Sequence, residues 1–192
     1  MEIRKTISSW ITRPLTPVMS RAGISPNVLT WTGLLITVFA AIAIALNYLV
    51  AGGVLLLIAG LFDMFDGAVA RYANKITRFG ALLDSTMDRL SEGIVLFGLL
   101  FLNLTIHPDT LEIYLIFGVL VTSFLISYIR ARSEGLNIEC KVGLFTRAER
   151  VIILALALIV NQVFIALIVL LVFTFITVVH RLIFVYSQTK RE

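Results

Sequence analysis

Residues 28–50 read VLTWTGLLITVFAAIAIALNYLV, a stretch without Asp, Glu, Lys, Arg or His. A helix needs about 20 predominantly apolar residues to cross the hydrocarbon core of a bilayer. Five further apolar stretches follow, and the fifth of the six is the shortest. The later stretches are approximately residues 52–72, 80–104, 111–132, 146–161 and 163–186. The sequence therefore predicts an all-α integral membrane protein with six transmembrane helices.

The composition of the whole chain agrees with this architecture. Of its 192 residues, 59% are hydrophobic and 15% are charged, and the mean hydropathy is +0.98. These values exclude a water-soluble globular protein. The single cysteine, Cys140, excludes an intramolecular disulfide. The basic residues lie in short turns rather than on one continuous face, so nucleic-acid binding is not expected.

The distribution of Lys and Arg among the loops predicts the orientation in the membrane. Basic residues precede the first apolar stretch and follow the second, fourth and sixth, whereas the turns at 48–52, 103–112 and 161–162 contain none. By the positive-inside rule, both termini lie in the cytoplasm. The basic residues counted are Arg4, Lys5, Arg13, Arg21, Arg71, Lys75, Arg78, Arg130, Arg132, Lys141, Arg147, Arg181, Lys190 and Arg191.

Residues 1–25 carry apolar side chains at near-helical spacing with basic residues between them. This pattern predicts an amphipathic juxtamembrane helix at the bilayer interface, kinked by Pro14 and Pro17. A signal peptide is the competing interpretation, but the apolar run that follows is too long and lacks a convincing cleavage site. Residues 26–187 then form one six-helix membrane domain, and residues 188–192 form a cytoplasmic tail.

Four aspartates, Asp63, Asp66, Asp84 and Asp88, lie inside or at the edge of the second and third stretches. Spacings of three and four residues place each pair on one face of its helix. Asp63 and Asp88 lie at nearly equal distances in sequence from a turn near Lys75, and so do Asp66 and Asp84. Antiparallel helices therefore bring all four carboxylates together. Such a cluster is costly in a membrane without compensating charge. Oxygen ligands favour hard divalent cations, so the sequence predicts two Mg²⁺ or Mn²⁺ ions.

Small residues and an arginine accompany these acids. Gly67 would let a diphosphate approach the backbone, and Arg71 would bind phosphate oxygens as a planar fork. The alternatives are that Gly67 is a helix-packing position and that Arg71 anchors the helix at the interface. Packing is the preferred explanation for Gly60 and Ala81.

Residues 63–88 read DMFDGAVARYANKITRFGALLDSTMD and fill the pattern DxxDGxxARx8Gx3Dx3D at all eight fixed positions. In this respect the chain resembles the CDP-alcohol phosphotransferase family. The resemblance implies a homodimer of six-helix subunits, each preceded by an interfacial helix. It also implies an enzyme that transfers a substituted phosphate from a CDP-alcohol, usually CDP-diacylglycerol, to an acceptor hydroxyl and releases CMP.

The resemblance further implies roles for individual residues. The four aspartates would hold the metal ions, and Asp88 would also act as the base that removes the acceptor's proton. From the sequence alone, residues 26–30 are equally well explained as the start of a helix. The residues implied to bind the CDP-lipid are Asn27, Val28, Leu29, Thr30, Asp66, Gly67, Ala70, Arg71 and Thr77.

In the segment 127–150, SYIRARSEGLNIECKVGLFTRAER, Ser127 and four arginines supply one hydroxyl and four guanidinium groups on the cytoplasmic side. The guanidinium group of an arginine can bind a phosphomonoester through two parallel N–H···O hydrogen bonds, so this composition predicts a second anion pocket. The alternative is that Glu134 and Glu149 pair with some of the arginines. The residues predicted to bind the acceptor phosphate are Ser127, Arg130, Arg132, Arg147 and Arg150. Arg181 is either a further phosphate ligand or an anchor.

This segment is similar to that of the phosphatidylinositol-phosphate and archaetidylinositol-phosphate synthases, although Arg130 stands where Lys is familiar. The similarity implies an inositol phosphate as acceptor and CDP-diacylglycerol or its ether-lipid analogue as donor, at the cytoplasmic side of the cell membrane. Synthesis of phosphatidylglycerophosphate from glycerol 3-phosphate is the alternative within the family. An ion or proton transporter is the alternative of another class, but its acids would be distributed through the membrane.

Overall fold

The computed structural model describes residues 12, 16–23, 25–73, 77–106 and 108–190. Within these ranges every regular element is an α-helix, which confirms the predicted class. The interfacial helix predicted for residues 1–25 lies mostly outside the described residues, as do the turn residue Lys75 and the end of the predicted tail. The helices are α1 Thr16–Arg21, α2 Pro26–Ala45, α3 Leu49–Tyr72, α4 Arg78–Thr105, α5 Thr110–Glu134, α6 Arg147–Ile159 and α7 Val163–Thr189.

Polar side chains determine where several helices begin and end. Ser25 accepts a hydrogen bond at 3.4 Å from a backbone N–H of the first turn of α2, and Thr77 accepts one at 2.9 Å in α4. Asp109 accepts two such bonds at the start of α5. These acceptors satisfy donors that the first helical turn leaves unpaired. Asn47 and Asn161 adopt positive φ angles of 65° and 55° where α2 and α6 end.

Four of the described helices, α2, α3, α5 and α7, are long and apolar enough to cross a membrane. The other two helices of the predicted six-helix bundle differ from these four. Helix α4 carries several charges in its first half, and α6 is shorter, with 13 residues. Trp31, Phe97 and Phe175 on the outer surface are 54%, 67% and 59% exposed. Such a surface is suited to contact with lipid rather than water.

Helix α2 is the support on which the aspartate-bearing helices are assembled. It packs along both α3 and α4, whereas α3 and α4 make little direct contact with each other. Helix α6 lies against α3, and α7 lies against α5. Ile44 of α2, Leu99 of α4 and Leu167 of α7 are completely or almost completely buried in the shared core. Helices α3 and α4 are thus both held on a common neighbour, α2.

Glycines permit the closest helix contacts. A Cβ atom added at Gly98 of α4 would lie 2.6 Å from the carbonyl oxygen of Ala41 in α2. A Cβ atom added at Gly53 of α3 would lie 2.6 Å from the carbonyl oxygen of Ala155 in α6. Both obstacles are backbone atoms, which cannot rotate away. Small residues at such crossings let membrane helices pack at short distance.

The substitution Gly98→Ala is expected to destabilise the bundle by about 1–3 kcal/mol, because α4 must move away from α2 to accommodate one methyl group. Gly93→Ala on the same helix is the matched control, since a Cβ atom there meets nothing within 4 Å. Alanine favours a helix over glycine by up to about 1 kcal/mol, so the control should be neutral or stabilising. Thermal unfolding in detergent measures both, and equal melting temperatures would contradict the packing described here.

Candidate functional site

A cavity of about 890 Å³ lies between α2, α3, α4 and α6, with contributions from α5 and α7. One part of its wall is apolar and includes Leu56, Val95, Leu96, Val119 and Leu170. The other part carries most of the ionisable residues singled out from the sequence. The polar and charged wall residues include Thr30, Asp63, Asp66, Arg71, Asp84, Asp88, Glu92, Arg147 and Arg150. The volume is typical of a pocket for a large organic ligand.

Three carboxylates converge in this cavity. Asp63 and Asp66 of α3 and Asp84 of α4 each offer an oxygen within 4.8 Å of the other two. The two helices do not pack closely, so the side chains meet across the space between them. A group of carboxylate oxygens at this separation is the donor set that Mg²⁺ and Mn²⁺ prefer. The residues present therefore fit a divalent metal site.

Asp66 is the most buried of the four aspartates, with 5% of its surface exposed. The hydroxyl of Thr30 donates a hydrogen bond of 2.8 Å to its Oδ2 atom. Thr30 lies in the second turn of α2, and its hydroxyl is also 3.2 Å from the carbonyl oxygen of Pro26. The start of α2 thus orients one of the carboxylates of the candidate metal site.

Asp88 is connected to the cluster by Arg147. The Nη1 atom of Arg147 donates to Oδ1 of Asp63 at 2.7 Å and also to Oδ1 of Asp88. Its Nε atom is buried and has no hydrogen-bond partner among the described residues. Arg147, predicted from the sequence to bind the acceptor phosphate, therefore lies directly beside the aspartates and retains an unused donor.

Arg150 forms a second, more deeply buried ion pair one turn further along α6. Its Nε and Nη2 atoms donate to the two carboxylate oxygens of Glu92 at 2.7 and 2.8 Å. The side chains of Arg150 and Glu92 are 4% and 10% exposed. The sequence analysis did not single out Glu92. The signal was present, since Asp84, Asp88 and Glu92 follow one another at intervals of four on the same face of α4.

The remaining residues predicted to bind the acceptor phosphate lie outside the wall of this cavity. Arg130 donates to Glu134 at 3.0 Å, and both side chains are 53% exposed. Arg132 is exposed and Ser127 is half-buried on the same helix, α5. The predicted pairing of an arginine with Glu134 thus occurs. Glu149 accepts a hydrogen bond from the backbone N–H of Thr146 and caps α6.

Arg181 is 7% exposed and binds backbone carbonyl groups. It donates from Nε to the oxygen of Val142 at 2.9 Å and from Nη1 to the oxygen of Ile126 at 2.5 Å. These bonds join α7 to α5 and to the loop before α6. Arg181 thus connects α7 to its neighbours, a role that the sequence did not indicate.

The residues predicted to bind the CDP-lipid divide into two groups. Thr30, Asp66, Gly67 and Arg71 line the cavity. A Cβ atom at Gly67 would lie 3.2 Å from Nη1 of Arg71, so the glycine leaves room for this guanidinium group. This arrangement leaves both the packing and the ligand interpretation of Gly67 possible, since each needs a small residue there.

The second group lies outside the cavity wall. Leu29 is buried against Phe65 and Val69, Val28 is exposed, and Thr77 caps α4. Asn27 is exposed and Ala70 is half-buried.

Two small residues, Gly60 and Ala81, were expected to be packing positions. A Cβ atom added at Gly60 would lie 3.9 Å from Val151 of α6, and Gly60 also lines the cavity. Ala81 is exposed.

Comparison with known proteins relates this site to a defined group of enzymes. The model of the CDP-alcohol phosphatidyltransferase family matches residues 23–185. The archaetidylinositol phosphate synthase of Methanothermobacter thermautotrophicus is 36% identical over 188 residues, covering 94% of this chain and 92% of that protein.

Two solved structures are also similar. The crystal structure of Mycobacterium tuberculosis phosphatidylinositol phosphate synthase with CDP-DAG bound matches with a TM-score of 0.85 and 35% identity, over 92% of this chain and 94% of that chain. The same enzyme in complex with manganese and citrate matches with a TM-score of 0.84 and 35% identity, over 92% and 89% of the two chains.

The substitution Thr30→Val is expected to weaken Mn²⁺ binding roughly 10- to 100-fold, because it removes the hydrogen bond that orients the Asp66 carboxylate. Thr32→Val is the matched control, since among the described residues the Thr32 hydroxyl bonds only a carbonyl of its own helix, at 2.8 Å. Isothermal titration of Mn²⁺ into the purified proteins measures both affinities. Equal affinities in the two variants would show that Thr30 does not support the site.

Proposed function

The chain belongs to the CDP-alcohol phosphatidyltransferase family, and we propose that it transfers the phosphatidyl group of CDP-diacylglycerol, or of its ether-lipid analogue, to a hydroxyl of an inositol phosphate. The observation that carries the proposal is the cavity in which converging carboxylates and two arginines face each other among apolar helices. The names of the relatives support the choice of donor and acceptor.

The reaction is a displacement at the lipid-side phosphorus of the diphosphate. The acceptor oxygen forms the new P–O bond, and the bond to the CMP oxygen breaks, so CMP leaves with the electron pair. Asp63, Asp66, Asp84 and Asp88 are the residues that would hold two Mg²⁺ or Mn²⁺ ions. When bound, such ions supply positive charge that stabilises the diphosphate oxygens and the leaving group. Asp88 takes the proton of the acceptor hydroxyl.

Arg147 and Arg150 form the inner part of the proposed acceptor subsite. The acceptor hydroxyl has to approach Asp88, and the buried Nε of Arg147 supplies a donor for the acceptor phosphate nearby. Ser127, Arg130 and Arg132 of α5 form the outer part and attract the phosphate from the cytoplasm.

The CDP-lipid occupies the other side of the aspartates. Thr30, Gly67 and Arg71 line the cavity there, and the guanidinium group of Arg71 binds phosphate oxygens. Asn27, Val28, Leu29, Ala70 and Thr77 complete the proposed nucleotide site at the starts of α2 and α4 and the end of α3. The lipid chains remain in the bilayer beside the apolar part of the wall.

The chain is an integral membrane protein, and we place its active site at the cytoplasmic face of the cell membrane. Helices α4 and α6 complete six crossings, with both termini in the cytoplasm, as the distribution of Lys and Arg requires. Residues 1–25 lie at the interface, residues 26–187 form the membrane domain and residues 188–192 form the tail. Two subunits associate in a homodimer.

Purified protein is expected to release CMP from CDP-diacylglycerol in the presence of Mn²⁺ and inositol phosphate, and not after chelation of the metal. Parallel reactions with free inositol and serine should release far less CMP, because neither offers a phosphomonoester to the arginines. Glycerol 3-phosphate does offer one, and we expect less CMP from it because the similar proteins are named as synthases of inositol phosphate lipids. Chromatographic measurement of CMP tests the whole panel. Release with glycerol 3-phosphate alone would replace the proposed acceptor, and no release with any acceptor would favour a transporter.

The substitution Asp88→Asn is expected to lower turnover about 10²- to 10⁴-fold, since an amide cannot accept the acceptor's proton. Binding of CDP-diacylglycerol should change little, and a calorimetric titration verifies that the variant is folded. Asp109→Asn is the control, because Asp109 caps α5 on an exposed site away from the cavity and asparagine caps equally well. Full activity of Asp88→Asn would remove Asp88 from the proposed chemistry.

A further inference from the structure

The geometry points to Glu92 as a positioning residue for the acceptor phosphate: it holds the guanidinium group of Arg150 in the cavity wall in the orientation that the phosphate requires. This inference rests on the proposed function. Glu92 and Arg150 both line the cavity, and two hydrogen bonds of 2.7 and 2.8 Å join them side by side.

The hydrogen-bond pattern leaves part of the arginine for a ligand. A guanidinium group has five N–H donors, one on Nε and two on each terminal nitrogen. Glu92 engages Nε and Nη2 of Arg150, so both donors of Nη1 remain uncommitted to it. A bidentate carboxylate also fixes the plane of the guanidinium group. The direction of the Nη1 donors is therefore set before any anion enters.

Stability alone does not account well for this pair. Both side chains are at least nine-tenths buried, and removing two charges from water costs about as much as their attraction returns. Apolar residues of similar size commonly stabilise a protein as well or better at such positions. A buried pair in the wall of a binding cavity is better explained by the need for a precisely directed cation.

The position of Glu92 along α4 also separates the two arginines. Asp88 pairs with Arg147, and one turn later Glu92 pairs with Arg150. The four side chains thus form two successive ion pairs between α4 and α6. Without Glu92, Arg150 would be drawn towards the carboxylate of Asp88, since Asp88 lies one turn away on the same face. Glu92 thus keeps Arg150 in the acceptor subsite and away from the proposed base.

The test compares Glu92→Gln with Glu92→Asp and with the control Glu139→Gln, whose residue lies on the surface beside Lys141 and is 70% exposed. Glu92→Gln is expected to raise the KM for inositol phosphate roughly 10- to 100-fold, the effect of losing a charged hydrogen-bond partner. The kcat and the KM for CDP-diacylglycerol should change less than about twofold. Glu92→Asp should recover part of the affinity, and Glu139→Gln should match the wild type.

A second variant covers the case in which Glu92→Gln fails to fold. The double substitution Glu92→Gln with Arg150→Met leaves no unpaired buried charge, so it should fold. It should nevertheless bind inositol phosphate at least tenfold more weakly in a calorimetric titration.

Unchanged KM for inositol phosphate in Glu92→Gln, or wild-type binding by the double variant, would overturn the role of Glu92. The same holds for equal losses in kcat and in both KM values. A wild-type protein that releases no CMP with inositol phosphate would instead overturn the proposed function, and this inference with it.

Discussion

Carboxylates inside a bundle of apolar helices must have positive charge beside them, and this requirement organises the structure. Asp63, Asp66 and Asp84 bring their oxygens within 4.8 Å of one another, which is tolerable only with a cation nearby. Helix α6 contributes Arg147 and Arg150 from its first two turns. The described helices thus place acids on α3 and α4 opposite guanidinium groups on α6.

The same requirement explains why α6 is short. Arg147 is its first residue and contacts Asp63, which lies nine positions before the end of α3. At 1.5 Å per residue, α6 therefore begins roughly 14 Å below the end of α3. The loop that precedes α6 must descend to that depth. Arg181 and Thr177 of α7 hold it there through hydrogen bonds to Val142 and Leu144.

Sequence periodicity predicted the helices and the convergence of acids well, because both depend on local spacing. The interval between Asp63 and Asp88, divided symmetrically by a turn, was sufficient to bring side chains of α3 and α4 together. The partners of those acids depend on contacts distant in sequence. Arg147 lies 84 residues after Asp63, and Arg150 lies 58 residues after Glu92, so no local pattern could reveal which arginine pairs with which acid.

The number of membrane crossings and the contacts of individual arginines were also not predictable from local sequence patterns. Length and hydropathy identify α2, α3, α5 and α7 as candidate spans, whereas α4 differs from them by its charges and α6 by its length of 13 residues. Arg130 and Arg181 are both arginines in the second half of a long apolar helix. One forms an exposed pair with Glu134, and the other is buried against carbonyl groups, because the tertiary fold rather than the residue type decides burial.

The descending loop before α6 is attached to α7 in part through its own backbone, at the carbonyl group of Val142 and the N–H group of Leu144. Because those attachments involve carbonyl and N–H groups, they tolerate changes of side chain along the loop. Substitutions at Val142 and Leu144 can therefore accumulate without loss of these hydrogen bonds, while α3, α4 and their carboxylates stay in place.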